Sequence, residues 1–306
     1  VILITLSFLF LAFALGRYRD QLVAYEWQVD APRLVLSVLA YAAILVASVT
    51  IWGATLRQFG VRPPFPVLAR IWFISNLSRY IPGKIWQFVG VVELSRAAGL
   101  APVTNVTSLI ISMGFVLIGA IFVGIYMIPA ALLGGIGAAV VPLRLGAPLL
   151  LVFLHPKVLN ALVRIASRLV RRPLEPWRGS LRSGLFIFGL SVLQWLAMGA
   201  AFTLFVSSLT QVGLEHLPAL TAAFALAFVA GYVTFLPAGV GTKEGALALV
   251  LAALVPLPVA AAIAVAARVW MTVAELIPAL YYFIPSRKAG ENAVTDTIPP
   301  TDGSHP

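Results

Sequence analysis

Long apolar blocks separated by short polar stretches run the length of this chain. They fall at 1–16, 34–56, 66–80, 85–98, 103–128, 137–154, 184–208, 218–236, 243–255 and 258–284. The period-two alternation of a membrane barrel is absent, so the blocks predict helices. Crossing a bilayer takes about 20 apolar residues. The blocks at 66–80, 85–98 and 243–255 are too short for that, and 218–236 is long enough to be read either way. The pattern predicts an all-α polytopic membrane protein with about six full transmembrane helices. The short blocks read as parts of two broken hairpins, 66–98 and 218–255.

Each hairpin breaks at a similar place. The first contains Asn76-Leu77-Ser78-Arg79-Tyr80-Ile81-Pro82-Gly83-Lys84-Ile85-Trp86-Gln87, the second Thr234-Phe235-Leu236-Pro237-Ala238-Gly239-Val240-Gly241-Thr242-Lys243-Glu244-Gly245. In both, an apolar stretch meets a Pro/Gly break, and a Lys opens the next stretch. Pro82, Gly83, Pro237, Gly239 and Gly241 are the expected hinge positions. A break frees backbone groups that lipid cannot satisfy, so it must lie within protein or line a wet cavity. Paired breaks of this kind point to a transporter's binding site.

Basic residues set the expected orientation. Segment 155–183 carries Lys157, Arg164, Arg168, Arg171, Arg172, Arg178 and Arg182 against Glu175, which places it in the cytoplasm. Loop 209–217 has no Lys or Arg and belongs outside. The chain then returns, so the C-terminus is cytoplasmic. The first hairpin thus enters from the cytoplasm and the second from outside, an inverted-repeat-like arrangement of opposed re-entrant hairpins. Segment 155–183 also reads as a basic amphipathic stretch on the inner leaflet, attracted to anionic lipids there. Gly134-Gly135-Ile136-Gly137 marks an outside turn. One domain, 1–285, precedes a polar tail, 286–306, whose composition predicts disorder. Ala12-Phe13-Ala14 resembles a signal cleavage site, but with a polytopic chain following, 1–16 is read as a first transmembrane helix.

Composition narrows the chemistry. The chain is 61% hydrophobic and 10% charged, with mean hydropathy +1.00. Its net charge of +10 is read as a topological bias, not as a nucleic-acid surface. There is no Cys and there are three His, in loops and tail, so no metal site and no cofactor are expected. No P-loop is present: Gly83-Lys84 is followed by Ile85. At apparent membrane depth lie Arg79, Lys84, Glu93, Lys243, Glu244, Arg268 and Glu275. Each is costly in lipid and should face protein or water. Lys84 and Lys243 open half-helices, where free N–H groups and the helix dipole favour an anion, so a phosphate fits there. Gln87 and Glu93 follow Lys84 on the same half-helix, and Trp86, Gly90 and Glu93 share a face. Glu244 suits the first turn of its helix. Arg268, Thr272 and Glu275 form a stripe read as a structural ion pair, Arg268 with Glu275. Glu93 and Arg96 are spaced to pair. Asn105, Ser108 and Ser112 form a stripe expected to join helices.

At the two break motifs the chain resembles the lysylphosphatidylglycerol synthase transmembrane region family, also called flippase-like. Its second motif is similar to the family's Pro-x-Gly-x-Gly-x-Arg-Glu-Gly signature, with Lys243 in place of the Arg. Val91 stands where members often carry Arg after the glycine matching Gly90. The likeness spans about 1–285 and is that of a stand-alone membrane member without the soluble synthase domain. It implies translocation of a lipid or lipid-linked substrate and does not imply aminoacylation. The expected substrate is an anionic phospholipid or a polyprenyl phosphate in the cytoplasmic membrane, its phosphate held by Arg79, Lys84 and Lys243; an oligomer is compatible with this reading. Movement without an ATPase would be downhill or ion-coupled through Glu93, Glu244 or Glu275. Two other readings are an integral-membrane transferase using one of those carboxylates, and a scaffold for envelope synthesis. The transporter is preferred to the enzyme because no nucleotide or metal motif is present.

Overall fold

The computed structural model describes residue 16 and residues 18–78, 86–171, 173–234 and 241–283. Among these, every regular element is helical. The α-helices are α1 (Arg19–Ala24), α2 (Ala31–Arg57), α3 (Phe65–Leu77), α4 (Trp86–Ala97), α5 (Pro102–Met127) and α6 (Val140–Gly146). Then come α7 (Pro156–Val170), α8 (Leu181–Ser207), α9 (Leu217–Val233), α10 (Thr242–Leu251) and α11 (Leu257–Phe283). Their starts follow local chemistry. Pro stands in the first turn of α2, α3, α5, α7 and α9, where a missing N–H costs nothing. Asp30 and Ser180 cap α2 and α8 by accepting the N–H of Arg33 and Ser183.

Six segments are long and apolar enough to cross a membrane: Ala31–Arg57, Pro102–Met127, Gly137–Leu154, Leu181–Ser207, Leu214–Val233 and Leu257–Phe283. The chain is a multi-pass membrane protein. Leu214–Val233, which covers most of the 218–236 block, is among these segments by length and composition. The expected first helix at 1–16 and the tail at 286–306 lie outside the described residues.

Two ends of the bundle are fixed by contacts between distant residues. At one end the Asp30 N–H donates to the Ser208 carbonyl at 2.9 Å, joining the start of α2 to the end of α8. At the other, Phe59 packs on Trp177 just before α8, and the Thr104 hydroxyl donates to Glu175, bringing together the end of α2 and the starts of α5 and α8. In chain order α3 follows this second end and packs on α4, which precedes α5; α9 follows the first end and packs on α10, which precedes α11.

Close approach to α9 depends on glycines at two crossings. A Cβ on Gly199 of α8 would fall 2.2 Å from Thr221 Oγ1 of α9. One on Gly124 of α5 would fall 2.6 Å from Leu226 of α9. Around α9 lies an aromatic core of Tyr41, Trp195, Phe202, Phe205, Phe224 and Trp270. Its indoles keep their N–H groups satisfied: Trp270 donates to Ser37 at 3.0 Å and Trp195 to the Val116 carbonyl at 2.8 Å. The polar stripe on α5 joins helices as its spacing predicts. Asn105 donates to Ser95 of α4 at 2.7 Å, and Ser108 accepts from Trp52 of α2 at 2.9 Å.

The 137–154 block departs from a plain α-helix. Only Val140–Gly146 is α-helical; Ala130–Ala139 and Ala147–Leu154 are wound as tighter 3-10 helix, and Gly134 breaks the first of these at φ +51°. Arg144, unremarked in the sequence, explains what this segment holds. Its guanidinium donates to the carbonyls of Ile125, Tyr126 and Ile128, the unpaired end of α5. It is a cation at a helix C-terminus, where the dipole favours one.

Candidate functional site at the hairpin breaks

Helix α11 is the wall shared by both hairpins, packing against α3 of the first and α10 of the second. Phe73 of α3 stacks on Tyr282 near the far end of α11, rings parallel with centroids 5.5 Å apart. Arg268, near the middle of this 27-residue helix, meets α10. The short arms explain this depth. α3, α4 and α10 have 13, 12 and 10 residues, so at about 1.5 Å per residue none matches an apolar thickness of about 30 Å.

The described flanks of the first break close on each other. Gln87 Nε2 donates to Asn76 Oδ1 at 2.7 Å, a clasp from the end of α3 to the start of α4. The amide nitrogen of Asn76 is buried and makes no hydrogen bond among the described residues. Gly90 lets α4 lie against α3, because a Cβ there would stand 3.2 Å from Ser75. Val91 is fully buried in the apolar core. Arg79, Pro82, Gly83 and Lys84 lie outside the described residues, as do Pro237 and Gly239 of the second break. Glu93 is seven residues beyond Trp86, about 10 Å along the helix. It is well exposed and pairs with Arg96 at 2.9 Å, as the spacing predicts.

The second break ends in a built anchor. Gly241 caps α10 at φ +84°, a conformation that glycine adopts without strain. Its N–H donates to Glu244 Oε2 at 2.7 Å. The other oxygen of Glu244 accepts from Arg268 Nη1. Glu244 is 4% exposed and Arg268 15%, so this is a buried charge pair fixed by a backbone hydrogen bond. The spacing on α11 pointed to Glu275 as the partner of Arg268. The structure pairs Arg268 with Glu244, on another helix; Glu275 sits about two turns further along α11. Sequence reasoning placed Glu244 correctly in the first turn but could not see that α10 and α11 bring it to Arg268.

Lys243 is turned towards the aromatic core. Its Nζ lies 5.3 Å from the centroid of Phe224, 5.8 Å from that of Phe228, and 3.1 Å from the Met271 sulfur. Ring faces stabilise an ammonium, more strongly where water is excluded. Nothing in the sequence pattern linked Lys243 to α9, because the Phe224/Phe228 pair reads as ordinary core spacing. The start of α10 therefore holds two cations, each engaged on a different side: Arg268 by a carboxylate, Lys243 by rings. Among the described residues no group of three or more His, Cys, Asp or Glu could hold a metal ion.

No match was found among curated proteins or among solved structures. The family model of the lysylphosphatidylglycerol synthase TM region matches residues 1–279. That match takes in both hairpins, the shared wall and nearly the whole described bundle, and so the chain belongs to the lysylphosphatidylglycerol synthase transmembrane region family.

Proposed function

We propose that this protein translocates an anionic lipid, a phospholipid or a polyprenyl phosphate, across the cytoplasmic membrane. One observation supports the reading: α11 packs against both α3 of the first pair of short helices and α10 of the second, with a buried charge pair at its mid-length. The lipid phosphate is bound by Arg79, Lys84 and Lys243 at the half-helix starts, with Gln87 and Asn76 beside the first break. The acyl or prenyl tails stay in the bilayer. The hairpins act as re-entrant gates that open in turn, one to each side. Glu244 serves chiefly as a latch, holding the second break to α11 through Arg268. Glu93, at the mouth of the first hairpin, meets the headgroup on entry or exit. The end bearing α7 faces the cytoplasm, since Arg57, Arg62, Lys157, Arg164, Arg168, Arg178 and Arg182 gather there.

The test is reconstitution into vesicles with a fluorescent phosphatidylglycerol, whose outer-leaflet signal is removed by a membrane-impermeant reductant. The expected result is lipid exchange between leaflets well above that of protein-free vesicles. Exchange no faster than in those vesicles, for fluorescent phosphatidylglycerol and for a polyprenyl phosphate alike, rejects the proposal.

A further inference from the structure

Helix α7 carries a feature that the translocation site does not use. Leu159 and Val163 are buried against the bundle. With about 100° per residue, Leu162, Ile165 and Leu169 share an arc of about 60° on another side, while Lys157, Arg164 and Arg168 share about 40° on a third. Leu162, Ile165 and Leu169 are 45%, 53% and 80% exposed. An exposed apolar arc beside a basic arc is the pattern of a helix lying in a membrane interface.

Arg164 and Arg168 of the basic arc, with Ser167, Arg171 and Pro173, line a shallow cavity of about 390 Å³ that is open to the surface. Arg171 ends α7 in a left-handed conformation, φ 54°, which turns the chain back over the last turn. The returning Leu174 N–H donates to Ser167 Oγ at 3.2 Å, and two hydrogen bonds between Asn160 and the backbone of Trp177 pin the chain further on. The wall of the cavity is therefore held in place without a ligand. No acid lines it. The one acid of the segment, Glu175, accepts from Thr104 on α5. Among the described residues no carboxylate pairs with Arg164, Arg168 or Arg171.

We infer that this cavity is a binding site for the phosphate headgroup of an anionic phospholipid, distinct from the translocation site. Two arginines at i and i+4 and a third from the turned cap converge on one cavity, a geometry that matches a phosphate's several acceptors. The neighbouring apolar arc sets the helix at the depth where a phospholipid presents that phosphate, which favours a lipid over a free ion. The bound lipid fixes α7, and through Asn160 and Trp177 the start of α8, to the membrane surface.

The test is titration calorimetry on purified protein in neutral detergent. The probes are dioctanoyl phosphatidylglycerol, dioctanoyl phosphatidylcholine and inorganic phosphate. R164Q/R168Q removes two cavity charges; K157Q/R178Q removes two nearby charges outside it. Phosphatidylglycerol is expected to bind wild type more tightly than either other probe. R164Q/R168Q should weaken it about tenfold or more, the loss of charge-assisted hydrogen bonds. K157Q/R178Q should change it by no more than about twofold, as screened surface charges do. R164K/R168K, which keeps the charge without the guanidinium fork, should fall between and serves if the Gln variant is unstable. Equal weakening by the two charge-matched Gln variants would show diffuse attraction and overturn the site. Equal binding of phosphatidylcholine, or inorganic phosphate binding as tightly as phosphatidylglycerol, would overturn the anionic-lipid assignment.

Discussion

Replacing Arg268 with Leu should be among the most damaging single changes in the membrane region. The side chain removed is mostly buried, and its partner Glu244 is 4% exposed. Leaving that carboxylate without its cation costs about 3–5 kcal/mol, because the charge keeps its desolvation penalty and loses its compensation. At roughly 2–4 °C per kcal/mol for a chain of this size class, the apparent melting temperature should fall by about 6–20 °C. Glu244→Gln should cost less: the amide oxygen can still accept from the Gly241 N–H, and Arg268 is the more exposed partner. The double variant R268L/E244Q should recover part of the loss, because neither charge is then left facing the other's empty place. The assay is thermal unfolding in detergent followed by tryptophan fluorescence at one scan rate, with R268L, E244Q and the double variant compared as a cycle. Coupling of about 1 kcal/mol or more is expected for residues in contact. Strict additivity would refute the pairing, and an R268L variant as stable as wild type would refute its burial.

Two further outcomes follow from packing and path. Gly199→Ala places a methyl group within 2.2 Å of Thr221 Oγ1, so it should lower stability by about 1–3 kcal/mol as overpacking does; Gly189→Ala, with nothing within 4 Å, serves as the comparison in the same melting assay and should change little. Reporter fusions inserted at residue 175 and placed after Phe283 should report the same side of the membrane, and one inserted at residue 213 the opposite side; any other pattern contradicts the opposed entry of the hairpins.

The sequence was informative where lipid imposes a rule. Apolar block length located the spans, because every backbone group inside a bilayer must be satisfied within a helix. The short blocks 66–80, 85–98 and 243–255 correspond to the short helices α3, α4 and α10. The i, i+3 spacing of Glu93 and Arg96 was enough to pair them. Partners across helices were not legible. Glu244 of α10 carried no mark as a partner of Arg268 on α11, since helix packing and not sequence spacing sets that distance. Arg144 was hidden inside an apolar block; a lone Arg in such a block is the signal that it caps something, and here it caps α5. The aromatic surroundings of Lys243 were hidden for the opposite reason, because Phe residues on a transmembrane helix carry no mark that separates core from cation cage.

The account turns on whether the cations at the two breaks hold the substrate's phosphate. The direct measurement is leaflet exchange of fluorescent phosphatidylglycerol or polyprenyl phosphate by K84Q, K243Q and the double variant, each with its melting temperature. Gln keeps length and polarity and removes charge. Loss of a charge-assisted hydrogen bond is worth about 1.5–3 kcal/mol, so each single variant should weaken headgroup binding roughly ten- to a hundredfold. The account predicts slowed exchange in both singles, little or none in the double, and melting temperatures close to wild type. Undiminished exchange by K84Q/K243Q, or a loss of stability that matches the loss of exchange, would contradict it.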